Sequence, residues 1–350
     1  MEKRLMIYGA YGYTGKLITE LAVKKGLHPI LAGRDETKTH SLAEKYQLSW
    51  KSFTLENQPK LLSILQDIDI LMNVAGPYSK TATHLVNACI AAKTHYLDVT
   101  GEIEVFEWIA SKNEAAQKAG ITLLPGCGFD VVPSDCLAAI LKTKMPDATH
   151  LSLAFKGVSS FSRGTALTML ENVHKGGKIR ENGIIKEVSS AHKTREVFLK
   201  NKNRLAVSIP WGDVSTAFYS TGIPNIIVYM ATNAQMIKGM KMTRYFGWFV
   251  GMPFIQNILA SRIKATIDGP SETNRKNEKS YLWGEVKNRV GNRLELYLET
   301  PEGYQLTALT AVKIIQKLAK EPISTGFLTP SKAFGEEFIL EIPNTQLKEA

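Results

Sequence analysis

Residues 5–16 read LMIYGAYGYTGK, and an amphipathic stretch from Leu17 to Lys25 follows them. The short apolar run 5–8 and the spacing of Leu17 and Leu21, one helical turn apart, predict a strand, a glycine turn and a helix. Three glycines let the backbone turn tightly and remove the side chains that would block a phosphate. The helix that follows begins with free N–H groups and the positive end of its dipole. The stretch therefore predicts the opening of a dinucleotide-binding fold.

The spacing of these glycines distinguishes two kinds of phosphate-binding loop. It reads G-x-x-G-x-x-G, one residue longer than the usual dinucleotide motif and still compatible with a pyrophosphate. A P-loop is excluded because five residues, not four, separate Gly9 from Gly15, and because Leu17 stands where Ser or Thr would hold magnesium. The loop residues that we expect to bind a cofactor are Gly9, Tyr11, Gly12, Tyr13, Thr14 and Gly15.

The composition is that of an ordinary globular protein and disfavours several functional classes. The 350 residues are enough for two domains with their own cores. The net charge is +10, but Lys and Arg are spread along the chain, which indicates a solvated basic surface rather than nucleic-acid binding. We expect no metal site, because the three cysteines lack ligand spacing. The motifs H-E-x-x-H and G-x-S-x-G are absent, which disfavours metal-dependent and serine hydrolysis.

Short apolar runs alternate with helical patterns over the first 130 residues. This alternation predicts a parallel sheet with helices on both faces, and the right-handed rule for such connections makes it doubly wound. The predicted strands are 5–8, 29–32, 68–74, 96–99 and 121–124. The predicted helices are 16–25, one that starts near Glu36, 60–66, 81–92 and 103–119.

After Pro133 strand-like runs outnumber helical patterns, which predicts a second, α+β domain on a mostly antiparallel sheet. Its predicted strands are 151–156, 196–199, 213–219, 226–230, 281–286 and 294–299, and the predicted helices are 164–174, 233–240 and 304–319. We expect a Rossmann-type domain over residues 1–132 and a substrate or dimerisation domain over 133–303. The apolar face of 305–317 leaves open that residues from about 304 to 345 complete the first domain.

One uncharged segment, residues 245–261, bears on the location of the protein. It is short and interrupted for a transmembrane helix, which needs about 20 apolar residues. A buried or dimer-interface segment is the first interpretation. Peripheral membrane contact is the second, because Trp248 and Phe249 follow Lys238 and Lys241. Charges at the N-terminus do not fit a signal peptide, so we expect a cytoplasmic protein, with membrane association left open.

The end of the second predicted strand bears on the choice of cofactor. In this fold an acidic residue there binds the ribose of NAD, whereas an Arg binds the 2′-phosphate of NADP. Arg34 comes first here, and Asp35 is well placed to cap the next helix. The sequence therefore favours NADP over NAD. The alternative is that Arg34 is a solvated surface charge and Asp35 takes the ribose.

The strand 68–74 ends in small residues that would let the cofactor lie close to the backbone. Its position at the carboxyl end of a central strand favours a binding role over that of a plain connecting loop. The residues that we expect to bind the cofactor here are Asn73, Ala75, Gly76 and Pro77.

Taken together, these segments resemble the saccharopine dehydrogenase-like oxidoreductases and, within them, the trans-acting enoyl reductases. The resemblance implies a Rossmann domain and NADP(H), and it leaves the substrate class open. The segments that carry it are 9–15, 31–34, 73–78, 96–102, 125–135, 163–166, 269–271 and 326–330. The apolar second domain and the segment 245–261 suggest a hydrophobic, acyl-linked small-molecule substrate.

Hydride transfer to an enoyl group needs a donor at the carbonyl oxygen and an acid near the α-carbon. Candidates must lie at the carboxyl ends of the strands. Tyr78 is a plausible donor, although packing against the cofactor is the alternative. Asp98 also fits a turn-stabilising role, and Asp130 also fits a helix cap. Cys127 lacks a basic neighbour that would activate its thiol.

Three functional interpretations remain open at this point. The first is an NADPH-dependent reductase of C=C or C=N bonds. The second is an NADP-binding redox sensor or membrane-surface adaptor without turnover. The third is an amino-acid dehydrogenase of the saccharopine type, in which Arg163, Arg244 and Arg275 would hold substrate carboxylates.

Overall fold

The computed structural model describes residues 3–156, 162–172, 176–267 and 269–349. The strands in these ranges are β1 (Leu5–Tyr8), β2 (Ile30–Gly33), β3 (Trp50–Ser52), β4 (Ile70–Asn73), β5 (His95–Asp98), β6 (Thr122–Leu124), β7 (His150–Lys156), β8 (Gly177–Glu181), β9 (Ile184–Val188), β10 (Thr194–Phe198), β11 (Asn203–Ser208), β12 (Asn225–Ala231), β13 (Lys279–Lys287), β14 (Arg293–Pro301), β15 (Gly326–Phe327) and β16 (Gln346–Glu349).

The helices in the same ranges are α1 (Tyr13–Lys24), α2 (Glu36–Tyr46), α3 (Gln58–Leu65), α4 (Tyr78–Ala92), α5 (Ile103–Ala110), α6 (Asn113–Ala119), α7 (Val132–Lys144), α8 (Arg163–Asn172), α9 (Asp213–Thr221), α10 (Ala234–Val250), α11 (Pro253–Thr266), α12 (Glu272–Asn277), α13 (Gly303–Lys320) and α14 (Pro330–Phe334). A short 3-10 helix, Glu336–Glu341, precedes β16.

The chain divides into two compact units. The first contains the chain up to Val132 together with Tyr304–Ala333, and the second contains Pro133–Gly303 and the chain from Phe334 onward. The first unit is therefore discontinuous. Residues 334–345, which the sequence left open for the first unit, pack with the second.

The sheet of the first unit is entirely parallel and has the order β15-β6-β5-β4-β1-β2-β3. From β6 to β3 this is the doubly wound order of a Rossmann fold, and the chain reverses its direction of winding between β1 and β4. Ligands bind at such a switch point, outside the carboxyl ends of the strands. The predicted Rossmann-type sheet is confirmed.

Helix α4 shows why this unit holds together. Its apolar residues Ala82, Leu85, Val86 and Cys89 recur at helical spacing and are all buried in one cluster with residues of the sheet. Cys89 lies in this core. A continuous apolar stripe of this kind fixes the helix on the sheet and so fixes where its N-terminus lies.

The sheet of the second unit is mixed and mostly antiparallel, with the order β10-β11-β12-β7-β13-β14-β16. Strand β8 also pairs with β12, and β9 pairs with β8. The pair β7–β12 is parallel. Helix α7 packs at Gly284 of β13, where a Cβ atom would lie 2.6 Å from Cδ1 of Leu141. The predicted α+β character of this unit is confirmed.

Several predicted elements differ from the structure. The predicted strand 213–219 is wrong, because these residues form α9, which begins after Gly212 and buries residues from Asp213 to Ala217 in succession. The β-branched and aromatic residues suggested a strand, and packing overrides that weak preference. The predicted helix 103–119 is two helices, α5 and α6. Helix α10 extends ten residues beyond the predicted 240.

The uncharged segment 245–261 is not one element. It spans the end of α10, the turn at Gly251–Met252 and the first part of α11. Of the predicted helix 164–174, residues 173 and 174 lie outside the described residues. None of the helices in the described ranges has the length and apolar character to cross a membrane.

Candidate functional site

The glycine loop lies at the switch point of the parallel sheet. The N–H groups of Gly9 and Ala10 donate to the carbonyl oxygen of Ala32, at 2.8 and 3.2 Å. Gly9 has φ +87°, and a Cβ atom on it would lie 2.8 Å from the backbone nitrogen of Ala75. A Cβ on Gly15 would lie 2.4 Å from the carbonyl oxygen of Gly9. Glycine is therefore required at both positions by close backbone approach.

The N-terminus of α1 offers a cradle for an anion. Its N-cap residue is Gly12, which has no side chain to accept the first N–H groups, and its first turn carries no acidic residue. Gly12 itself would be crowded by a Cβ, 3.2 Å from the oxygen of Gly9. Backbone N–H groups and a helix dipole with no carboxylate beside them suit a pyrophosphate. The residues present therefore fit a dinucleotide, and Thr14 lies partly exposed in the same first turn.

The end of β2 separates the roles of Arg34 and Asp35. The Asp35 carboxylate accepts the N–H of Lys38 at 3.0 Å and forms an ion pair with the Lys38 ammonium at 2.8 Å. These hydrogen bonds lower the pKa of Asp35. Asp35 therefore caps α2, as the sequence predicted. Arg34 is exposed at the strand end, and the ring of Tyr11 packs on Gly33 beside it.

The loop after β4 is held by the buried Asn73 side chain. Its amide nitrogen donates to the hydroxyls of Thr81 at 3.2 Å and Tyr96 at 3.1 Å, and its oxygen accepts the N–H of Ala75 at 3.1 Å. The structure thus places Asn73 in the interior, where it shapes the loop. Ala75 and Pro77 are partly exposed, Gly76 is exposed, and the Gly76–Pro77 peptide bond is cis.

Glu102 occupies the N-terminus of α4. Its two carboxylate oxygens accept the N–H groups of Tyr78 at 2.8 Å and Ser79 at 3.0 Å. The residue at the N-cap is Pro77, which has no side-chain acceptor of its own. Sequence reasoning did not select Glu102 for this role. The missing acceptor at Pro77 was the available signal, but only the parallel pairing of β4 and β5 brings Glu102 to it.

Asp98 is fully buried and ties together the loops after β5 and β6. Its carboxylate accepts the hydroxyl of Tyr96 at 2.8 Å and the N–H groups of Thr100 and Gly126, both at 2.9 Å. Burial raises its pKa to about 6, against these hydrogen bonds, which lower it. The contacts account for Asp98 as a turn-stabilising carboxylate, one of the two roles that the sequence left open.

Tyr78 lies near the carboxylates of Glu102 and Asp130. Burial raises the pKa of Tyr78 well above its usual range, and the nearby carboxylates of Asp98, Glu102 and Asp130 raise it further. Tyr78 therefore stays protonated and is a hydrogen-bond donor rather than an acid. The Asp130 carboxyl lies close to Gly101, where a Cβ would be 2.9 Å from its oxygen. Burial raises the pKa of Asp130 to about 7.

The remaining nucleophile candidate near this site is Cys127. Its thiol donates to the carbonyl oxygen of Leu124 at 3.1 Å, and burial raises its pKa well above the usual value. A protonated, buried thiol is a poor nucleophile. The structure therefore agrees with the sequence in giving Cys127 no chemical role.

Helix α13 closes the discontinuous unit around the glycine loop. The rings of Tyr13 and Tyr304 meet edge to face with centroids 5.0 Å apart. The hydroxyl of Thr307 accepts the N–H of Phe129 at 3.0 Å, and the hydroxyl of Thr310 donates to the carbonyl oxygen of Cys127 at 2.7 Å. Helix α13 thus packs against the start of α1, directly after the glycine loop, and against the loop after β6.

The arginines considered as carboxylate clamps are engaged elsewhere. Arg163 donates to the carbonyl oxygen of Ile267 at 3.2 Å, and Arg275 donates to that of Pro270 at 2.8 Å. Both thus bind backbone carbonyl groups. The side chain of Arg244 lies outside the described residues. These contacts give no support to a carboxylate-binding cluster.

Residues 5–124 match the family of the saccharopine dehydrogenase NADP binding domain. A protein provisionally named trans-acting enoyl reductase from Mycobacterium tuberculosis is 32% identical over 186 residues, which are 48% of this chain and 43% of that protein. The saccharopine dehydrogenase-like oxidoreductase of Homo sapiens is 25% identical over 183 residues, 47% of this chain and 43% of that protein. The chain thus spans less than half the length of these two relatives.

The apo saccharopine dehydrogenase (L-Glu forming) of Saccharomyces cerevisiae superposes with a TM-score of 0.63 at 14% identity, over 99% of this chain and 100% of that chain. At 14% identity, the structural similarity establishes a shared fold and no more. The predicted family and the predicted NADP cofactor are confirmed by these matches. Residues 5–124 therefore belong to the saccharopine dehydrogenase NADP-binding domain family, and the fold around them is that of saccharopine dehydrogenase.

Proposed function

We propose that the protein is an NADPH-dependent oxidoreductase of the saccharopine dehydrogenase-like type. Its reaction would be the reduction of a C=C (enoyl) or C=N bond in a hydrophobic or acyl-linked small molecule. Bound NADPH would supply the hydride. The protein would hold the cofactor, exclude water and deliver a proton.

One observation carries the cofactor part of this proposal. The loop that ends in the N-terminus of α1 has no carboxylate of its own, whereas Asp35 is already engaged in capping α2. A pyrophosphate would therefore meet N–H groups, and the adenosine end would meet the exposed Arg34 guanidinium. A permanently charged planar guanidinium suits a 2′-phosphate better than a hydroxyl.

We assign Asp130 the role of proton donor, because its pKa is raised toward neutral pH. Its pKa of about 7 leaves a substantial fraction of the carboxyl protonated near neutral pH. Asp98 is committed to three hydrogen bonds within the domain, and Tyr78 is the weaker acid of the remaining two. We assign Tyr78 the role of a donor to a developing oxyanion.

The substrate class rests on the names of relatives. One relative is named as an enoyl reductase, and the superposed yeast enzyme is a saccharopine dehydrogenase. The first name favours an enoyl acceptor and the second an imine. Because Arg163 and Arg275 bind backbone carbonyls, we favour an acceptor without several carboxylates. Dimerisation through the second unit stays a prediction.

The test is NADPH oxidation with a panel of enoyl thioesters, cyclic imines, and 2-oxo acids paired with amines. We expect turnover with enoyl or imine acceptors and much weaker turnover with NADH. Binding of NADPH should first be measured by fluorescence titration, so that a failure of chemistry is separated from a failure of binding. Tight NADPH binding with no oxidation across the whole panel would contradict the proposal and favour a sensor.

A further inference from the structure

Helices α10 and α11 follow one another across a two-residue turn, and large apolar side chains are exposed on both sides of that turn; we call this pair of helices the hairpin. The two helices are in contact, and Gly251 and Met252 connect them, with Pro253 as the first residue of α11. We define the hairpin tip as Trp248, Phe249, Met252 and Phe254. Their exposed fractions are 68%, 48%, 41% and 72%. Large side chains grouped and exposed to this degree indicate an interaction surface.

Basic side chains lie behind the tip on both helices. Lys238, Lys241 and Arg262 are exposed, and residues 231–267 contain five Lys and Arg and no Asp or Glu. Lys241 precedes Trp248 by seven residues, two helical turns, which places it on the same side about 10 Å further back. Arg262 follows Phe254 by eight residues, about 12 Å along α11.

This spacing matches the depth profile of a lipid surface. Apolar side chains of interfacial helices enter the headgroup and acyl boundary by about 5–10 Å, and Trp is favoured at that depth. With the axes of both helices steep to the surface, Lys241 and Arg262 would then lie level with the phosphates, and Lys238, ten residues before Trp248, would lie just outside them. We propose that the hairpin tip inserts into the surface of an anionic phospholipid bilayer, with Lys238, Lys241 and Arg262 against the headgroups. The proposal is independent of the proposed catalytic function.

A second copy of the chain is the less suitable occupant. A two-fold contact through the hairpin would bring the same surface of both copies together. Lys238, Lys241 and Arg262 of one copy would then lie near those of the other, and residues 231–267 contain no Asp or Glu to balance them. Like charges opposed in this way disfavour association, whereas an anionic surface attracts them.

The experiment is co-sedimentation of the full-length protein with phosphatidylcholine vesicles, with and without phosphatidylglycerol. We expect binding to the phosphatidylglycerol vesicles, and about tenfold less binding by the double variant Trp248→Ala/Phe254→Ala. The matched control is Ile184→Ala/Val290→Ala, which removes two apolar side chains that are 65% and 80% exposed elsewhere in the same unit. The control should bind as the wild type does.

A second measurement keeps the test independent of how the double variant folds. Brominated phosphatidylcholine in the anionic vesicles should quench part of the tryptophan emission of the wild type, and Trp248→Phe should abolish that quenching. Wild-type protein that stays in the supernatant, or a folded double variant that binds like the wild type, would overturn the proposal. Light scattering that shows a wild-type dimer dissociated by the double variant, without vesicle binding, would identify a second copy as the occupant.

Discussion

Helices α1 and α4 both begin at the switch point of the same parallel sheet, yet their N-termini differ. The N-terminus of α1 follows three glycines and has neither a side-chain cap nor an acidic residue in its first turn. The N-terminus of α4 holds the carboxylate of Glu102 on the N–H groups of Tyr78 and Ser79. The protein itself thus supplies an anion, Glu102, to the N-terminus of α4. The N-terminus of α1 has no carboxylate of its own and suits an anionic ligand.

This difference explains how one sheet edge supports two tasks. A carboxylate and a phosphate make the same use of helix N–H groups and of the helix dipole. Glu102 occupies the N-terminus of α4, and the carboxyls of Asp98 and Asp130 lie near the same Tyr78. Carboxyls grouped in this way suit the proton transfer that we propose. Where glycines leave the N-terminus of α1 without a carboxylate, the proposed pyrophosphate would supply the anion. The predictions below test this contrast.

The largest effect should come from Gly9→Ala. The substitution adds a Cβ 2.8 Å from backbone nitrogen at a residue with φ +87°. We expect a loss of about 2–4 kcal/mol in the free energy of unfolding and a large loss of NADPH affinity. Urea unfolding and fluorescence titration measure the two effects.

The matched control is Gly26→Ala. Gly26 also has a positive φ, +77°, but nothing lies within 4 Å of an added Cβ. Gly26→Ala should lower the free energy of unfolding by only about 1–2 kcal/mol, which is the conformational penalty of a positive φ alone, and should leave NADPH binding intact. Equal losses of unfolding free energy in the two variants would show that the close contact between Gly9 and Ala75 does not require glycine.

Arg34→Ala should weaken NADPH binding by about 10–100-fold and leave NADH binding unchanged, because only NADPH offers a 2′-phosphate to the guanidinium. Titration of both cofactors measures the difference. Lys60→Ala, which removes an exposed cation of the same unit on α3, should change neither affinity. Parallel losses for both cofactors would assign Arg34 to general electrostatics.

Glu102→Ala should lower the free energy of unfolding by about 1–2 kcal/mol, since the first N–H groups of α4 lose their acceptor. Glu104→Ala removes a neighbouring exposed carboxylate and should cost less. NADPH affinity should be little changed in either variant. A large loss of NADPH affinity at unchanged stability would mean that Glu102 faces the cofactor instead.

The remaining prediction concerns the pH dependence of stability. Burial raises the pKa of Asp130 to about 7 in the folded chain, while an unfolded aspartate titrates near 3.9. The folded state thus holds a proton that the unfolded state has released, so stability falls as pH rises between these values. Asp130→Asn should remove the share of this fall in stability that Asp130 causes. The measurement is the free energy of unfolding at about pH 5 and at about pH 8.

Asp98 contributes a second, separate part of the same trend, because its pKa is raised to about 6. The exposed Asp67→Asn should keep the wild-type pH dependence and serves as the control. An Asp130→Asn variant whose stability varies with pH as the wild type does would exclude the shifted carboxyl and weaken its assignment as a proton donor.

Local patterns predicted the first unit well and the second less well. Strands such as β1 and β4 are short apolar runs with glycine or proline after them, and neighbouring residues suffice to define them. Residues 213–219 failed because β-branched and aromatic side chains suit a strand locally, whereas burial of successive residues in α9 depends on the surrounding unit. The strands β8, β9 and β11 were missed because exposed and half-buried residues interrupt their apolar patterns.

The sequence by itself determined the parallel fold, the glycine loop, the position of Arg34 and the capping of α2 by Asp35, because each depends on residues close together in the chain. Only the tertiary structure decided that Glu102 caps α4, that Asn73 turns into the interior and that Thr307 and Thr310 buttress the loop after β6. These contacts join residues separated by 23 to 183 positions. Strand order and packing bring such residues together, and the spacing of residues along the chain does not predict these contacts.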